Sequence, residues 1–363
     1  MKKKSYFVFI LVFSLHVNAQ IVKYSNEFLA IGVGARALGM GTAVVSSTSD
    51  VTAGYWNPAG LVGISSNIQG SLMHSEYFAG IAKYDYGALG MRIDSSSAAS
   101  ISFVRFGVDN IANTLQLVDA NGNVDYDKIS KFNVSDFAAI LSYARKISKI
   151  DGLDLGTNAK IIRRRIGDFG GAWGFGVDAA INYKWKAWKF SAVGRDITGT
   201  FNAWSYNLTD ETKQVFTLTG NEIPKNSLEV TMPRVVLGAA RLFNVWKDKI
   251  SLLTELNLIT TFDGKRNVVF KSNSVSADPA FGLELSYIKM IFLRFGVNNI
   301  QQYTNIQQQR KTSIQPNLGL GIRYKGIELS YAFTDLGDVS IAPYSNVFSL
   351  NFNINKKIKF KNQ

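Results

Sequence analysis

Residues 31–41 read Ile-Gly-Val-Gly-Ala-Arg-Ala-Leu-Gly-Met-Gly. They place Gly32, Gly34 and Ala37 in a G-x-G-x-x-A spacing, with the acidic Asp50 downstream. That spacing cradles a dinucleotide pyrophosphate when a strand precedes it and a helix follows it within a βαβ unit. A second group with chemical potential is ionic: Glu255, Glu284 and Glu328 alternate with Leu256, Leu285 and Leu329, and Arg92, Arg105, Arg294 and Arg323 occupy comparable positions. Paired carboxylates suit acid–base catalysis; carboxylates interleaved with guanidiniums suit a charged interior that ties one segment to another. A third is 119–127, where Asp119, Asn121, Asn123, Asp125 and Asp127 alternate oxygen ligands. The calcium pattern needs a terminal Glu, and Lys128-Ile129-Ser130 follow instead, so a solvated loop is expected. His74 is the one histidine outside the N-terminal apolar run, and no nucleophile with an orienting acid lies near it in sequence. With no cysteine, the usual zinc ligand set is missing. No metal, no cofactor and no enzymatic activity are expected.

The elements that must position these groups alternate with a period of two. Leu318, Leu320, Ile322 and Tyr324 share one face opposite Gly319, Gly321 and Arg323. Phe348, Leu350, Phe352 and Ile354 stand opposite Ser349, Asn351 and Asn353. Such two-sided segments suit a sheet with lipid on one face and polar content on the other. About fourteen strands follow, over 66–75, 80–94, 98–108, 134–148, 153–166, 172–185, 188–199, 227–243, 250–262, 276–288, 290–299, 313–324, 326–336 and 344–355. Connections after even strands are short, whereas the long ones, 109–133, 200–226, 263–275 and 300–312, all follow odd strands. The expected fold class is therefore all-β: a transmembrane antiparallel outer-membrane barrel with short periplasmic turns and long surface loops. Both termini are then periplasmic. The near-repeat "FVRFGVDNI" (103–111) and "FLRFGVNNI" (292–300) places Arg105 and Arg294 on the lumen side. No βαβ unit exists to give the glycine spacing its dinucleotide sense.

Met1-Lys2-Lys3-Lys4, an apolar run to Val17 and a small-residue end at Ala19 form a secretory signal peptide. The run is too short to span a bilayer. Cleavage after Ala19 removes three lysines, taking the net charge from +13 to +10. For an exported protein this surplus suits membrane lipid and lipopolysaccharide phosphates rather than nucleic acid. Three regions result: signal peptide 1–19, an N-terminal hatch or plug 20–61 and a barrel 62–363.

The stretch "FLAIGVGARALGMGTAVVSSTSDVTAGYWNPAGL", residues 28–61, resembles the N-terminal signature of the PorV/PorQ family of Bacteroidetes outer-membrane proteins, itself related to the FadL fatty-acid transporters. The matching positions are Ala35, Arg36, Gly39, Met40, Gly41, Asp50, Trp56, Asn57, Pro58 and Ala59. Gly32-Val33-Gly34 before the Ala-Arg, and Tyr55 and Gly60 around the Trp-Asn-Pro-Ala, depart from the principal PorV pattern and point to a paralogue. The resemblance implies a fourteen-stranded barrel with a lumenal N-terminal segment. It also implies an accessory or cargo-binding role in type IX protein secretion, with secretion-system proteins or secreted cargo as partners. Under that role Phe201, Trp204, Tyr206 and Phe216, taken as residues of surface loop 200–226, would form a docking face. The alternative is a FadL-like channel for a hydrophobic solute such as a fatty acid. It requires an apolar lumenal pocket and a kinked strand that interrupts the ladder.

Overall fold

A computed structural model describes residues 20–21, 25–118, 122–247, 249–304, 307–334 and 345–354. The proposed signal peptide lies outside them, as do Asp119 and Asn121. Fourteen strands form the wall: β1 Ile68–Tyr77, β2 Ala82–Arg92, β3 Ser97–Asn113, β4 Ser130–Lys146, β5 Leu153–Ile166, β6 Gly170–Trp185, β7 in two halves (Trp188–Arg195 and Thr200–Tyr206), β8 in two halves (Ser227–Thr231 and Arg234–Trp246), β9 Ile250–Thr261, β10 Ser276–Tyr287, β11 Ile291–Thr304, β12 Arg310–Tyr324, β13 Ile327–Thr334 and β14 Ser345–Ile354. Neighbours are antiparallel throughout, and β14 pairs with β1 from Asn346↔Glu76 to Ile354↔Ile68, which closes the barrel and removes the wall's free edges.

The alternation decides which way each strand faces. Leu72, Phe103, Leu141, Leu237, Leu256, Leu293 and Leu329 point out and stay exposed, while Ser71, Ser102, Ser142, Asn257 and Ser330 point in and are buried. A wall with that outer face is stable only where apolar solvent covers it. Tyr143, Tyr183, Trp185, Trp246, Tyr287 and Tyr324 all lie near the short-turn ends of their strands and are exposed. They form the aromatic girdle that the headgroup region favours.

Strands run further than the alternation indicated at the opposite, long-loop rim. β3 continues to Asn113, β4 begins at Ser130, and the second half of β7 occupies Thr200–Tyr206. Past the apolar band both faces are wet, so hydrogen-bonded ladder persists without hydrophobic alternation to mark it. The loop after β7 is correspondingly shorter and carries a helix, α1, at Asp210–Leu218, N-capped by Thr209.

The core sits inside the barrel. Residues 25–66 fold within the lumen through two short helices, Ala35–Gly39 and Ala53–Trp56, and a 3₁₀ turn at Pro58–Gly63. Val33, Met40, Val44, Val45, Val51, Tyr55 and Trp56 are buried against Tyr84, Tyr86, Val104, Ile140, Ile162, Val193 and Val236 of the wall. Each large apolar side chain so buried contributes about 1.5–3 kcal/mol. Ile64 and Ser66 are still buried, so the lumenal segment extends beyond residue 61 before β1 begins.

Candidate functional site

The glycine stretch is a seat, not a cradle. A Cβ on Gly39 would stand 2.9 Å from the Gly319 Cα, and one on Gly296 would stand 2.0 Å from the Gly41 nitrogen. Hatch backbone thus lies directly on wall backbone, and Gly41 also adopts φ +59°, a left-handed conformation that glycine takes at little cost. The N–H groups that would hold a phosphate are engaged: Gly32 donates to the Tyr55 hydroxyl (3.2 Å) and Gly34 to the Met73 sulfur (2.9 Å).

The remaining signature residues fasten the hatch to itself and to the wall. The Trp56 indole donates to the Val33 carbonyl at 2.9 Å. Asn57 caps the 3₁₀ turn by accepting from the Ala59 N–H (3.1 Å), donates to the Val45 carbonyl (2.5 Å), and is followed by Pro58 in the turn's first position. Asp50 accepts from the Thr52 N–H at 2.9 Å. Ala35 and Ala59 are fully buried, and Met40 packs against the wall at Gly282. Arg195, from the wall, lies 5.2 Å above the Tyr55 ring and 5.6 Å above that of Trp56.

On the opposite side the seam is ionic. Arg36 of the hatch meets Glu284 (2.9 Å); Arg294 meets the same carboxylate (2.7 Å) and Glu328 (2.8 Å); Glu328 then meets Arg323 (2.6 Å). Arg294 has none of its side chain exposed. Nearby, Glu255 accepts the backbone N–H groups of Ser46 (2.6 Å) and Ser47 (3.0 Å), so one carboxylate satisfies both donors of that stretch. Five of the seven charged residues named from sequence therefore converge on the hatch and its seam. Arg92 does not: it is exposed at the short-turn rim.

Arg105 is a correction. Its register partner is Asp85, which points outward between the buried Tyr84 and Tyr86. Arg105 therefore lies on the outer face, 3.2 Å from Asp85, which also holds His74 at 2.7 Å. The near-repeat 103–111 and 292–300 has opposite parity in its two copies, with Phe103 exposed and Phe292 buried. A one-residue difference in phase moves every side chain to the other face.

The docking face is corrected as well. Phe201 points outward from the β7 wall, and Trp204 stacks on Tyr206 at 5.9 Å and donates to Glu229 at 2.6 Å. Only Phe216 lies on the loop, in α1, where no residue is buried. In 119–127, Asp125 accepts from the Asp127 N–H at 3.1 Å, capping a short turn.

Sequence reasoning missed one feature altogether: the break in β7. Pairing to β6 runs to Ala179↔Gly194 and resumes at Phe175↔Phe201; pairing to β8 stops at Arg195↔Arg234 and resumes at Thr200↔Thr231. Residues 196–199 thus face Met232 and Pro233 of β8, and Pro233 has no N–H to offer a ladder. The excursion is divided between the two faces of the wall. Asp196 is buried beside Lys160, which also meets Asp178 at 2.7 Å, and Ile197 stays exposed. Pro233 and Gly199 were the signals available. A cavity of about 20 Å³ behind the break, the size of a single water, is lined by Asn26, Leu29, Tyr55, Lys160, Arg195 and Arg234. Arg234 also lines a larger lumenal cavity of about 620 Å³ towards the long-loop rim.

No family model matches the chain, and no curated protein does. Solved structures do. The Ralstonia pickettii toluene transporter TbuX superposes with a TM-score of 0.53 at 12% identity, covering 89% of this chain and 99% of that one. The monoaromatic hydrocarbon channel CymD gives 0.52 at 11%, covering 90% and 98%. The Pseudomonas putida toluene transporter TodX gives 0.51 at 11%, covering 88% and 96%. At such identities the likeness is one of fold: the chain is a closed fourteen-stranded antiparallel barrel that shares its fold with these transporters and channels.

Proposed function

We propose that this protein is an outer-membrane channel for small hydrophobic solutes. The observation that carries the reading is the interrupted seventh strand, at whose edge Arg234, the register partner of Arg195, also lines the 620 Å³ lumenal chamber. A solute entering from the long-loop rim reaches the chamber, passes the Arg234–Glu27 pair (2.7 Å), and leaves sideways at 196–199 into the bilayer. The hatch blocks a straight aqueous path, as a channel for water-poor solutes requires. That similar folds belong to toluene and monoaromatic channels supports the solute class. The test is to shorten β7 by deleting Ile197 and Thr198, which equalises it with β8. Uptake of labelled toluene by cells lacking other such channels should fall to the level of cells without the protein. Retained uptake by a folded, shortened barrel overturns the reading.

A second reading, an accessory or cargo-binding component of type IX secretion, is favoured by the signature at 28–61. In this reading the barrel is a scaffold and binding falls to the long loops. The docking residues are then Phe216 and the 85% exposed Leu218 of α1, not Trp204. Co-purification of a secretion partner that is lost with Leu218→Asp, while toluene uptake is absent, selects this reading over the channel.

A further inference from the structure

The 620 Å³ chamber falls within the range of small-molecule sites, about 300–1,000 Å³. Its lining is divided by element. The hatch contributes an apolar side, Ala30, Ile31 and Leu38, whereas the wall contributes Asp278, Asn298 and Gln315 among other polar groups. The two guanidiniums present are already paired: Arg234 with Glu27 (2.7 Å), and Arg266 with Glu27 (3.2 Å) and Asp263 (2.9 Å). Asp278 is not. Its carboxylate accepts the Ile300 backbone N–H, no cation among the described residues pairs with it, and Oδ1 has no hydrogen-bond partner. With Glu27 and Asp263 taken by the two guanidiniums, the partly buried Asp278 is the lining carboxylate left without a cation among the described residues. A charge in that setting is costly until a cation or strong donor meets it.

We infer that the chamber selects small amphiphiles with an ammonium head and an apolar body. The head is held by Asp278 and the body by Ala30, Ile31 and Leu38. Carboxylate-headed solutes such as fatty acids are disfavoured, because both arginines are occupied and the unpaired group is itself an anion. This rests on the channel reading and narrows its substrate class.

The test uses the full mature chain in nanodiscs, with empty nanodiscs subtracted, and equilibrium dialysis of octylamine, octanoate and octan-1-ol. Octylamine should bind saturably and about tenfold more tightly than octanoate, a difference of ~1.4 kcal/mol. Asp278→Asn, which keeps the side chain's size, should bring the two together and leave octan-1-ol unchanged. Octanoate binding as tightly as octylamine to the unaltered protein overturns the proposal without any variant, and so does a preference that survives Asp278→Asn. Saturable octan-1-ol binding without an amine preference sinks this inference and leaves the channel reading standing. Absence of saturable binding by all three overturns both.

Discussion

Arg294 has no exposed side-chain surface and is held between Glu284 and Glu328; Arg105, drawn from nearly the same nine-residue string, pairs with an outward Asp85 that is 41% exposed. The two positions should respond differently to truncation. Removing one partner of a buried ionic network strands the others and costs about 3–5 kcal/mol, because the remaining charges keep their desolvation penalty. An exposed pair contributes about 0–1 kcal/mol. Arg294→Ala should therefore lower the temperature at which the detergent-solubilised barrel loses its heat-modifiable gel mobility, and Arg105→Ala should barely move it. Equal losses would mean that Arg105 is also a lumenal group. Glu255 works differently, since it has backbone donors rather than cations as its partners, and it fixes the path of Ser46-Ser47 rather than a charge balance.

Hatch and wall are joined by three kinds of contact: apolar packing on the β2–β8 side, the ionic seam on β10–β13, and backbone-on-backbone approach at the glycines. The last has no room to adjust. A Val at Gly296 would place its Cβ 2.0 Å from the Gly41 nitrogen, so the hatch must lift or the strand must bend. Gly296→Val is expected to leave a detergent-resistant barrel whose conductance in planar bilayers rises, because a fourteen-stranded wall without its plug encloses a water-filled channel. Deleting residues 22–45 should raise conductance further. Conductance unchanged in both would place the segment's blocking contacts elsewhere.

The barrel has two unlike rims. Aromatic side chains crowd the short-turn rim, and helix α1 and the longer connections belong to the other. Bacterial outer-membrane barrels keep short turns in the periplasm and long loops outside, so the long-loop rim is expected at the cell surface. Cysteines placed at Asn207 and at Lys186 then give opposite results with an impermeant thiol reagent on intact cells: the first should be labelled, the second only after the outer membrane is permeabilised. The reverse pattern would invert the barrel. The described N-terminal residues also bear on this picture. Ser25 and Asn26 bond Thr231 (2.7 and 2.8 Å), and Gln20–Ile21 pair in parallel with Glu229–Val230, so the first described residues lie in the half of the lumen nearer the long loops and not at the short-turn rim, where a periplasmic N-terminus was expected.

Strand number, most strand positions and the division into short and long connections could be read from the chain alone. These follow from local causes: a period of two in polarity, and turn residues between segments. β5, expected over 153–166, occupies Leu153–Ile166. Residues 28–61, which carry the signature, lie within the lumenal segment. What depends on a partner strand emerged only on folding. The face taken by Arg105 is set by its register with Asp85, which two near-identical strings cannot encode differently in isolation. The second half of β7 is a strand because Thr200–Tyr206 finds ladder partners on both β6 and β8, although its own polarity reads as loop. The break at 196–199 and the unpaired Asp278 of the chamber belong to the same class. Each is a mismatch between neighbours, and a mismatch has no signal within either strand alone.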